Sequence, residues 1–330
     1  MLILIQHLIV KMTNPLSFIV IMINKYKNVK INTLMAFLVF IVISGCTVKT
    51  VPQIMDRPSQ NKWAEACTTW DDWDKPGPAF RIYGNSYYVG TCGISAILIT
   101  SHEGHVLIDG GTEAGADIIA ENIKSLGFSI NDVKFLMHSH EHFDHVAGLA
   151  KLQELSSAKL FASPEAAPVL QSGIASKHDP QAGMHEEFPT SKVDEIINVG
   201  QSLTLGNLTF LPIATPGHTL GALSWQWQSC ENTECVIIVY ADSLSPISHD
   251  SYLFSEHPQY VDDYKKGIRN LSLLECEILL TPHPSASKMR KNLLSPEGLF
   301  DKNSCKNYAE SITKRLQKRL IQEKTNDQIH

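Results

Sequence analysis

The sequence predicts an α/β fold in which two similar strand-rich halves, each carrying helices, pack into one domain. Three observations lead to this prediction. Short runs of β-branched and aromatic residues, bounded by glycine and asparagine, recur from residue 80 onward and predict strands. Strand and helix patterns alternate around a histidine-rich turn at residues 138–145. The chain has 330 residues, 43% of them hydrophobic, which is enough for one large domain.

The first 45 residues are expected to be a signal peptide or targeting region that lies outside the fold. A basic segment formed by Lys25, Lys27 and Lys30 precedes an apolar segment at residues 34–43, which is too short to span a bilayer comfortably. The apolar segment ends in Ile43-Ser44-Gly45-Cys46, which resembles a bacterial lipobox with Cys46 as the lipidated residue. The alternative is an ordinary buried cysteine near a signal anchor. Met22 is a second candidate for the start of the chain.

Residues 46–69 are expected to form a tether and N-terminal segment, and residues 70–330 the folded domain. Residues 47–75 are polar, and the sequence predicts that they are irregular. The tryptophan-rich segment from Trp63 to Trp73 either lines the mouth of a site or packs on the surface of a sheet.

Two series of strands and helices follow. In the first half, strands are predicted at residues 80–83, 86–89, 95–99, 105–108 and 133–137, and a helix at 115–126. In the second half, strands are predicted at 196–197, 203–205, 208–211, 223–227, 236–240 and 277–280, with a helix at 258–274. Apolar residues spaced by four from Tyr308 to Leu320 predict a C-terminal amphipathic helix. Residues 172–192 form a long loop, and loops of this length are often functional.

Four side chains of types that bind zinc occur within six positions, directly after a buried strand: His140, His142, Asp144 and His145. His140 and His142 alternate across one residue, so both imidazoles can reach one metal while Glu141 points away. Asp144 and His145 are adjacent and diverge, so they can bind a second metal. Imidazole and carboxylate together suit zinc. The alternative is a polar loop that contains these histidines by chance.

Two further histidines follow predicted strands in tight turns. His218 lies in Thr215-Pro216-Gly217-His218-Thr219, and His283 lies in Thr281-Pro282-His283-Pro284. A single histidine after a strand is usually a surface or capping residue. In the presence of the first motif, both are candidates for the same metal centre.

The cysteine content agrees with export from the cytoplasm. Seven cysteines without Cys46 leave an even six, as expected in an oxidising compartment. Cys230 and Cys235 flank a predicted hairpin tip that a disulfide could close. Six cysteines allow 15 connectivities, and the remaining pairs are expected to be Cys67 with Cys92 and Cys276 with Cys305. A zinc site built from cysteines is the alternative, but no C-x-x-C spacing is present.

The order His-x-His-x-Asp-His, Pro-Gly-His-Thr, a strand ending in Ala-Asp-Ser, and a late Pro-His resembles the metallo-β-lactamase superfamily. Four flanking blocks are similar, more narrowly, to metallo-β-lactamases of class B, subclass 3. These blocks are residues 80–90, 106–111, 240–245 and 279–284. The likeness runs from about Trp70 to the C-terminal helix. It implies a four-layer αβ/βα sandwich with the site at one edge, where the two halves meet.

The resemblance also implies a function and a ligand set. His140, His142 and His218 would bind a first Zn²⁺, and Asp144, His145 and His283 a second. A zinc-bound hydroxide, oriented by Asp144, would hydrolyse the β-lactam amide bond of penicillins, cephalosporins or carbapenems and so give antibiotic resistance. The expected partner is this small substrate, and the protein is expected to be a monomer. Its expected location is the periplasm of a Gram-negative bacterium, where it would contact the membrane only through a lipid on Cys46.

Five more residues near the ligands are assigned roles, and some of them have an alternative interpretation. Ser243 and Ser245 match positions that hold the substrate carboxylate, although both could be plain turn residues. Asp109 matches a residue that supports the metal loop through hydrogen bonds, or it serves only its Asp-Gly-Gly turn. His138 is expected to support or pack beside the ligands. Asp242 is left outside the ligand set, although in other branches of the superfamily an aspartate after this strand bridges both metals.

Two other functions compete with β-lactam hydrolysis. The first is a related dinuclear zinc hydrolase that acts on a thioester or a lactone. The second is an exported metal-binding protein without catalysis, which six ligands with an open water position disfavour because structural zinc sites are closed. The net charge of −6 and the lack of a basic run in the folded region argue against a nucleic-acid partner.

Overall fold

Two β-sheets form the centre of the protein, which we describe from a computed structural model for residues 56–326. The first sheet has seven strands in the order β1-β2-β3-β4-β5-β6-β7, and the second has five in the order β12-β11-β10-β9-β8. The first comprises β1 (Phe80–Tyr83), β2 (Ser86–Tyr88), β3 (Ile97–Ile99), β4 (His105–Ile108), β5 (Val133–Met137), β6 (Lys159–Ala162) and β7 (Val193–Ile196). The second comprises β8 (Leu203–Leu205), β9 (Leu208–Ala214), β10 (Leu223–Glu231), β11 (Glu234–Tyr240) and β12 (Ile278–Leu280).

The direction of the strands determines which loops meet. Strands β1 to β4 pair antiparallel, whereas β4 to β7 run parallel to one another. In the second sheet β8 to β11 are antiparallel, and β11 and β12 are parallel. In the first sheet, the carboxyl ends of β4 and β5 therefore lie at the same edge. In the second sheet, the same holds for the carboxyl ends of β9, β11 and β12.

Helices pack against the two sheets. They are α1 (Arg57–Ala66), α2 (Gly115–Ser125), α3 (Phe143–Val146), α4 (Leu149–Ser156), α5 (Ala166–Ser172), α6 (Pro258–Ser272), α7 (Met289–Leu293) and α8 (Ser304–Asn326). Short 3₁₀ turns lie at Ile130–Asp132 and Phe254–Glu256. Helices α2, α4 and α5 share a buried cluster with the first sheet, and α6 and α8 share one with the second. Helices α1 and α7 contribute side chains to the cluster between the sheets.

The largest buried cluster lies between the two sheets. It contains Trp63, Phe80 and Ile108 from one side and Trp225 and Ile238 from the other. Burial of such side chains stabilises the fold by roughly 1.5–3 kcal/mol each. The layers are therefore helix, sheet, sheet, helix, and the predicted four-layer αβ/βα sandwich is confirmed.

Three local predictions were wrong or incomplete. Residues 57–66 are helical rather than irregular, because Trp63 and Ala64 bury one face of α1 against β1 and α7. Trp63 is thus a core residue and does not line the mouth of a site. Strand β6 and helix α5 were not predicted, because each is short and has no marked alternation of apolar and polar residues.

The six cysteines form three disulfides, and their pairing is the one expected from the sequence: Cys67–Cys92, Cys230–Cys235 and Cys276–Cys305. Cys46 and the targeting region lie outside the described residues. Among residues 56–326, no helix has both the length and the apolar character needed to cross a membrane.

Candidate metal centre

The candidate site lies at the edge where the carboxyl ends of five strands meet. Asp109 follows β4, and the His140–His145 turn follows β5. His218, Asp242 and His283 follow β9, β11 and β12. Two backbone hydrogen bonds join the sheets here, from Leu223 N–H to the Ser139 carbonyl (2.7 Å) and from Ser95 N–H to the Pro282 carbonyl (2.8 Å). Side chains far apart in the sequence therefore converge.

The structure brings all six proposed ligands together. We call His140, His142 and His218 the first triad; each offers an atom within 4.8 Å of the others, and all three are buried. His140, Asp144 and His145 form an equally close group. His283 Nε2 lies 3.4 Å from Asp144 Oδ2, which completes a second triad of Asp144, His145 and His283.

Each histidine of the first triad has its outer ring atom near a fixed acceptor. His142 Nε2 is 2.9 Å from Asp179 Oδ2 in a well-formed hydrogen bond. His218 Nδ1 lies 2.9 Å from the Ser245 carbonyl oxygen. His140 Nδ1 is hydrogen-bonded to the Ser139 hydroxyl at 3.2 Å, and it also lies 2.8 Å from Asp242 Oδ1, a close contact without the alignment of a hydrogen bond. Partners of this kind orient metal-binding imidazoles.

The second triad relies more on contacts among its own members. His145 Nε2 lies 3.1 Å from Asp144 Oδ2, and His145 Nδ1 lies 3.8 Å from Asp109 Oδ2. Asp109 is fully buried and accepts hydrogen bonds from Ser139 N–H, the Ser139 hydroxyl and the Tyr240 hydroxyl. The hydrogen bonds from Ser139 join Asp109 to the turn that precedes the ligands.

Glu141 connects two of the ligand-bearing turns. Its buried carboxylate accepts hydrogen bonds from the Thr219 hydroxyl (2.6 Å) and from Gly221 N–H (3.0 Å). Thr219 is adjacent to His218, so Glu141 fixes the distance between the His140–His145 turn and the His218 turn. As the sequence suggested, this side chain points away from the ligand cluster.

Burial and neighbouring charges set the protonation of the ligands. Burial lowers the pKa of His218 to about 3 and that of His283 to about 4, and it lowers the pKa of His140 well below the usual value. Burial alone would raise the pKa of Asp144, but interaction with His145 lowers it overall. His140, His218 and His283 are therefore neutral imidazoles and Asp144 is an ionised carboxylate, which are the forms that bind metal ions. For His142 and His145 burial alone would lower the pKa, but the hydrogen bond of His142 to Asp179 and the charge of Asp144 beside His145 raise it overall.

The donor atoms fit a metal ion. Within the described residues, His140 Nε2 and both ring nitrogens of His145 are buried and have no hydrogen-bond partner. A buried polar atom without a partner costs free energy, roughly 1–3 kcal/mol. A metal ion would satisfy His140 Nε2 and one ring nitrogen of His145, since a neutral imidazole has one nitrogen with a free lone pair. Imidazole with carboxylate is a donor set typical of zinc.

The other residues singled out from the sequence lie around this cluster. The Ser243 hydroxyl is buried and has no hydrogen-bond partner among residues 56–326. The Ser245 hydroxyl accepts a hydrogen bond from Arg315 Nη2 (2.8 Å). His138 is fully buried, and its Nε2 accepts a hydrogen bond from Ser163 N–H, so it supports the strand end. Trp73 lies beside His283, with ring centroids 6.1 Å apart, at the rim of the site.

Sequence reasoning missed the residues that the 173–192 loop contributes. Asp179 contacts His142, Gln181 lies 3.4 Å from His218 Nε2, and the His185 ring is 5.0 Å from that of His142. The length of this loop was the only signal that pointed to them.

Comparisons with known proteins identify the family. The sequence profile of the metallo-beta-lactamase superfamily matches residues 89–231. MIM-2 metallo-beta-lactamase is 54% identical, with a TM-score of 0.78 over 80% of this chain and 98% of that one. MIM-1 from Novosphingobium pentaromativorans is 41% identical, with a TM-score of 0.78 over 81% and 99% of the two chains. The chain belongs to the metallo-β-lactamase superfamily.

A narrower placement follows from the solved structures. MEM-A1, a subclass B3 metallo-beta-lactamase from a soil metagenome library, is 40% identical, with a TM-score of 0.73 over 77% of this chain and 100% of that one. Within the superfamily this chain therefore groups with the subclass B3 enzymes, and the resemblance drawn from the sequence is confirmed. As in the rest of the family, the site binds metal.

Curated relatives are more distant and match less of their length. A hydroxyacylglutathione hydrolase of Bartonella henselae is 33% identical over 87 residues, which is 26% of each chain. A probable metallo-hydrolase of Bacillus subtilis is 26% identical over 202 residues, or 54% of this chain and 74% of that protein. The chain thus spans about a quarter of the first of these relatives.

Proposed function

We propose that this protein is a metallo-β-lactamase that hydrolyses the amide bond of β-lactam antibiotics with two zinc ions. The observation that carries the proposal is the set of six ligating side chains at one sheet edge, in a chain that covers 98% of MIM-2. The first triad binds one zinc ion and the second triad binds the other. Each triad would supply three protein ligands, which is the number typical of catalytic zinc sites.

Zinc bound by these residues supplies a Lewis acid and lowers the pKa of bound water. The chain's own side chains do the rest. The Asp144 carboxylate accepts a hydrogen bond from the attacking water and so orients it toward the lactam carbonyl. The Ser243 hydroxyl, buried and free of other hydrogen bonds within the described part of the chain, donates to the carboxylate of the substrate. Ser245 supports the same carboxylate, and its backbone carbonyl holds His218.

The partners at the outer ring atoms fix the orientation of the imidazoles, so the ligands do not have to be ordered during the reaction. Before substrate arrives, the Ser245 carbonyl and the Asp179 carboxylate hold His218 and His142 by hydrogen bonds, and the Asp242 carboxylate lies against His140. Such preorganisation lowers the free energy needed to reach the transition state.

The test uses the full chain, purified, stripped of metal with a chelator and then reloaded with zinc. We expect loss of the absorbance of a chromogenic cephalosporin and of a carbapenem only in the zinc-loaded form. No turnover of either substrate by zinc-loaded protein would contradict the proposal.

A thioester or lactone hydrolase is the second candidate, because a segment of the chain matches hydroxyacylglutathione hydrolases. That match covers a quarter of the chain, far less than the match to MIM-2. Turnover of a glutathione thioester or a lactone without turnover of a β-lactam would favour this candidate.

We also propose a location and an anchor. The three disulfides are typical of an oxidising compartment such as the periplasm. Lipid attached to Cys46 would tether a monomeric enzyme to the membrane, where it meets β-lactams that have crossed the outer membrane.

A further inference from the structure

The 173–192 loop contacts the first triad from the outside. It connects α5 to β7, and near its ends Phe188 N–H donates to the Gly173 carbonyl and Ser191 N–H to the Leu170 carbonyl. Between these points the loop crosses the ligand cluster and places Asp179, Gln181 and His185 against it. The loop is therefore both an outer wall of the site and a source of contacts to metal ligands.

Asp179 makes the best-defined of these contacts. Its side chain is buried, and Oδ2 accepts the hydrogen bond from His142 Nε2 at 2.9 Å. The other oxygen, Oδ1, accepts Gln181 N–H at 2.7 Å, so the carboxylate itself cannot rotate freely. The neighbouring Pro180 carbonyl accepts His249 N–H at 2.8 Å, which fastens this part of the loop to the second half of the molecule.

We propose that Asp179 is a positioning residue that couples docking of the 173–192 loop to metal binding. When Asp179 accepts the Nε2 proton of His142, the lone pair of that imidazole lies on Nδ1, the atom left for the metal. The same hydrogen bond holds the loop against the site. Metal binding therefore stabilises the docked loop, and the docked loop strengthens metal binding by the same factor.

The inference rests on the proposed metal site but goes beyond it. If Asp179 only anchored a surface loop, its loss would lower stability without changing the affinity for zinc. If Asp179 positions His142, its loss weakens zinc binding in protein that is still folded. Zinc affinity and the zinc dependence of loop docking therefore separate the two roles.

The first measurement is the zinc affinity of the full chain, by competition with a chromophoric chelator. Removal of a hydrogen-bond partner of a metal ligand weakens binding by about 10–100-fold, and we expect this for Asp179→Ala. Asp179→Asn keeps an acceptor oxygen and should lose less. Glu187→Gln is the matched control, because it removes an exposed carboxylate from the same loop, and it should bind zinc like the parent.

The second measurement follows the loop itself. Lys177 is exposed, two residues before Asp179, and offers a tryptic site. We expect zinc to slow cleavage after Lys177 in the parent and in Glu187→Gln, and to have little effect in Asp179→Ala. The thermal midpoint of each metal-free variant reports whether it is folded, and Asp179→Asn decides the question if Asp179→Ala does not fold.

Two results would overturn the inference. The first is a zinc affinity of the Asp179 variants equal to that of the parent. The second is a zinc-dependent slowing of cleavage after Lys177 that is equal in the parent and in the Asp179 variants. Failure of the proposed function has a different signature. A parent that binds zinc and shows zinc-dependent protection, but turns over no β-lactam, contradicts the function and leaves the role of Asp179 intact.

Discussion

The two triads meet at one sheet edge, yet they are held in different ways. Each histidine of the first triad has an outer partner on a separate segment: Asp242 for His140, Asp179 for His142 and the Ser245 carbonyl for His218. The second triad depends on contacts between Asp144 and its two histidines. The His283 side chain is also 25% exposed, whereas the side chains of His140 and His142 are almost completely buried.

This difference indicates that the two triads meet different requirements: constant metal binding in the first, and access for substrate in the second. The first triad is buried and each of its histidines contacts an outer partner, so we expect it to bind metal tightly. The second triad lies beside Trp73, and the partial exposure of His283 leads us to expect that substrate approaches from this side. We therefore expect the first triad to keep its metal when the second loses it.

The largest effect is expected from His283→Ala, which breaks the second triad alone. This variant should retain one zinc ion, and its kcat should fall by about 10²–10³-fold, because the charge that develops on the lactam nitrogen loses its stabilisation. Metal analysis and steady-state kinetics measure the two quantities. His102→Ala, at an exposed position between β3 and β4, is the control. Two zinc ions in His283→Ala would show that the assignment of ligands is wrong.

An intermediate effect is expected from Asp242→Ala, which tests how the first triad is held. If Asp242 only supports His140, the affinity for zinc should fall about 10–100-fold. At a saturating zinc concentration the variant should still bind as many zinc ions as the parent. Asp242→Asn is a milder control, because Asp242 Oδ2 also accepts Leu244 N–H (2.9 Å) and an amide oxygen can keep that bond. Loss of a zinc ion at saturating zinc would instead make Asp242 a bridging ligand.

The smallest effect is expected from Ser243→Ala, which leaves both triads intact. KM for a β-lactam should rise by about tenfold, because a hydrogen bond to a charged group contributes roughly 1.5–3 kcal/mol. The zinc content should not change. Ser272→Ala on the outer helix α6 serves as the control, and an unchanged KM in Ser243→Ala would remove Ser243 from the substrate site.

The sequence predicted the fold and the candidate ligands because both leave local signals. Alternating apolar residues mark the strands. The spacing from His140 to His145 reflects one turn at the end of one strand, and proline and glycine mark the turns of His218 and His283. Such patterns do not depend on the path of the rest of the chain.

The outer partners could not be predicted in the same way. Asp179 lies in a loop without periodicity, and its contact with His142 depends on how that loop folds back over the site. Helix α1 was missed because its segment is polar. Trp63 and Ala64 are the only apolar residues among its buried side chains. The one usable signal for this helix was Pro58 in its first turn.

The hairpin of β10 and β11 has a practical consequence. Strand β10 starts at Leu223, which is bonded to the ligand-bearing turn through Ser139, and runs to Glu231 at the opposite end of the sandwich. At about 3.3 Å per residue, the tip lies on the order of 25 Å from the ligand cluster. Asn232 and Thr233 at the tip are exposed, and the Cys230–Cys235 disulfide closes the base. A fluorophore or a surface linker inserted there would label or immobilise the enzyme without contacting its ligand cluster, because exposed loop tips tolerate insertion.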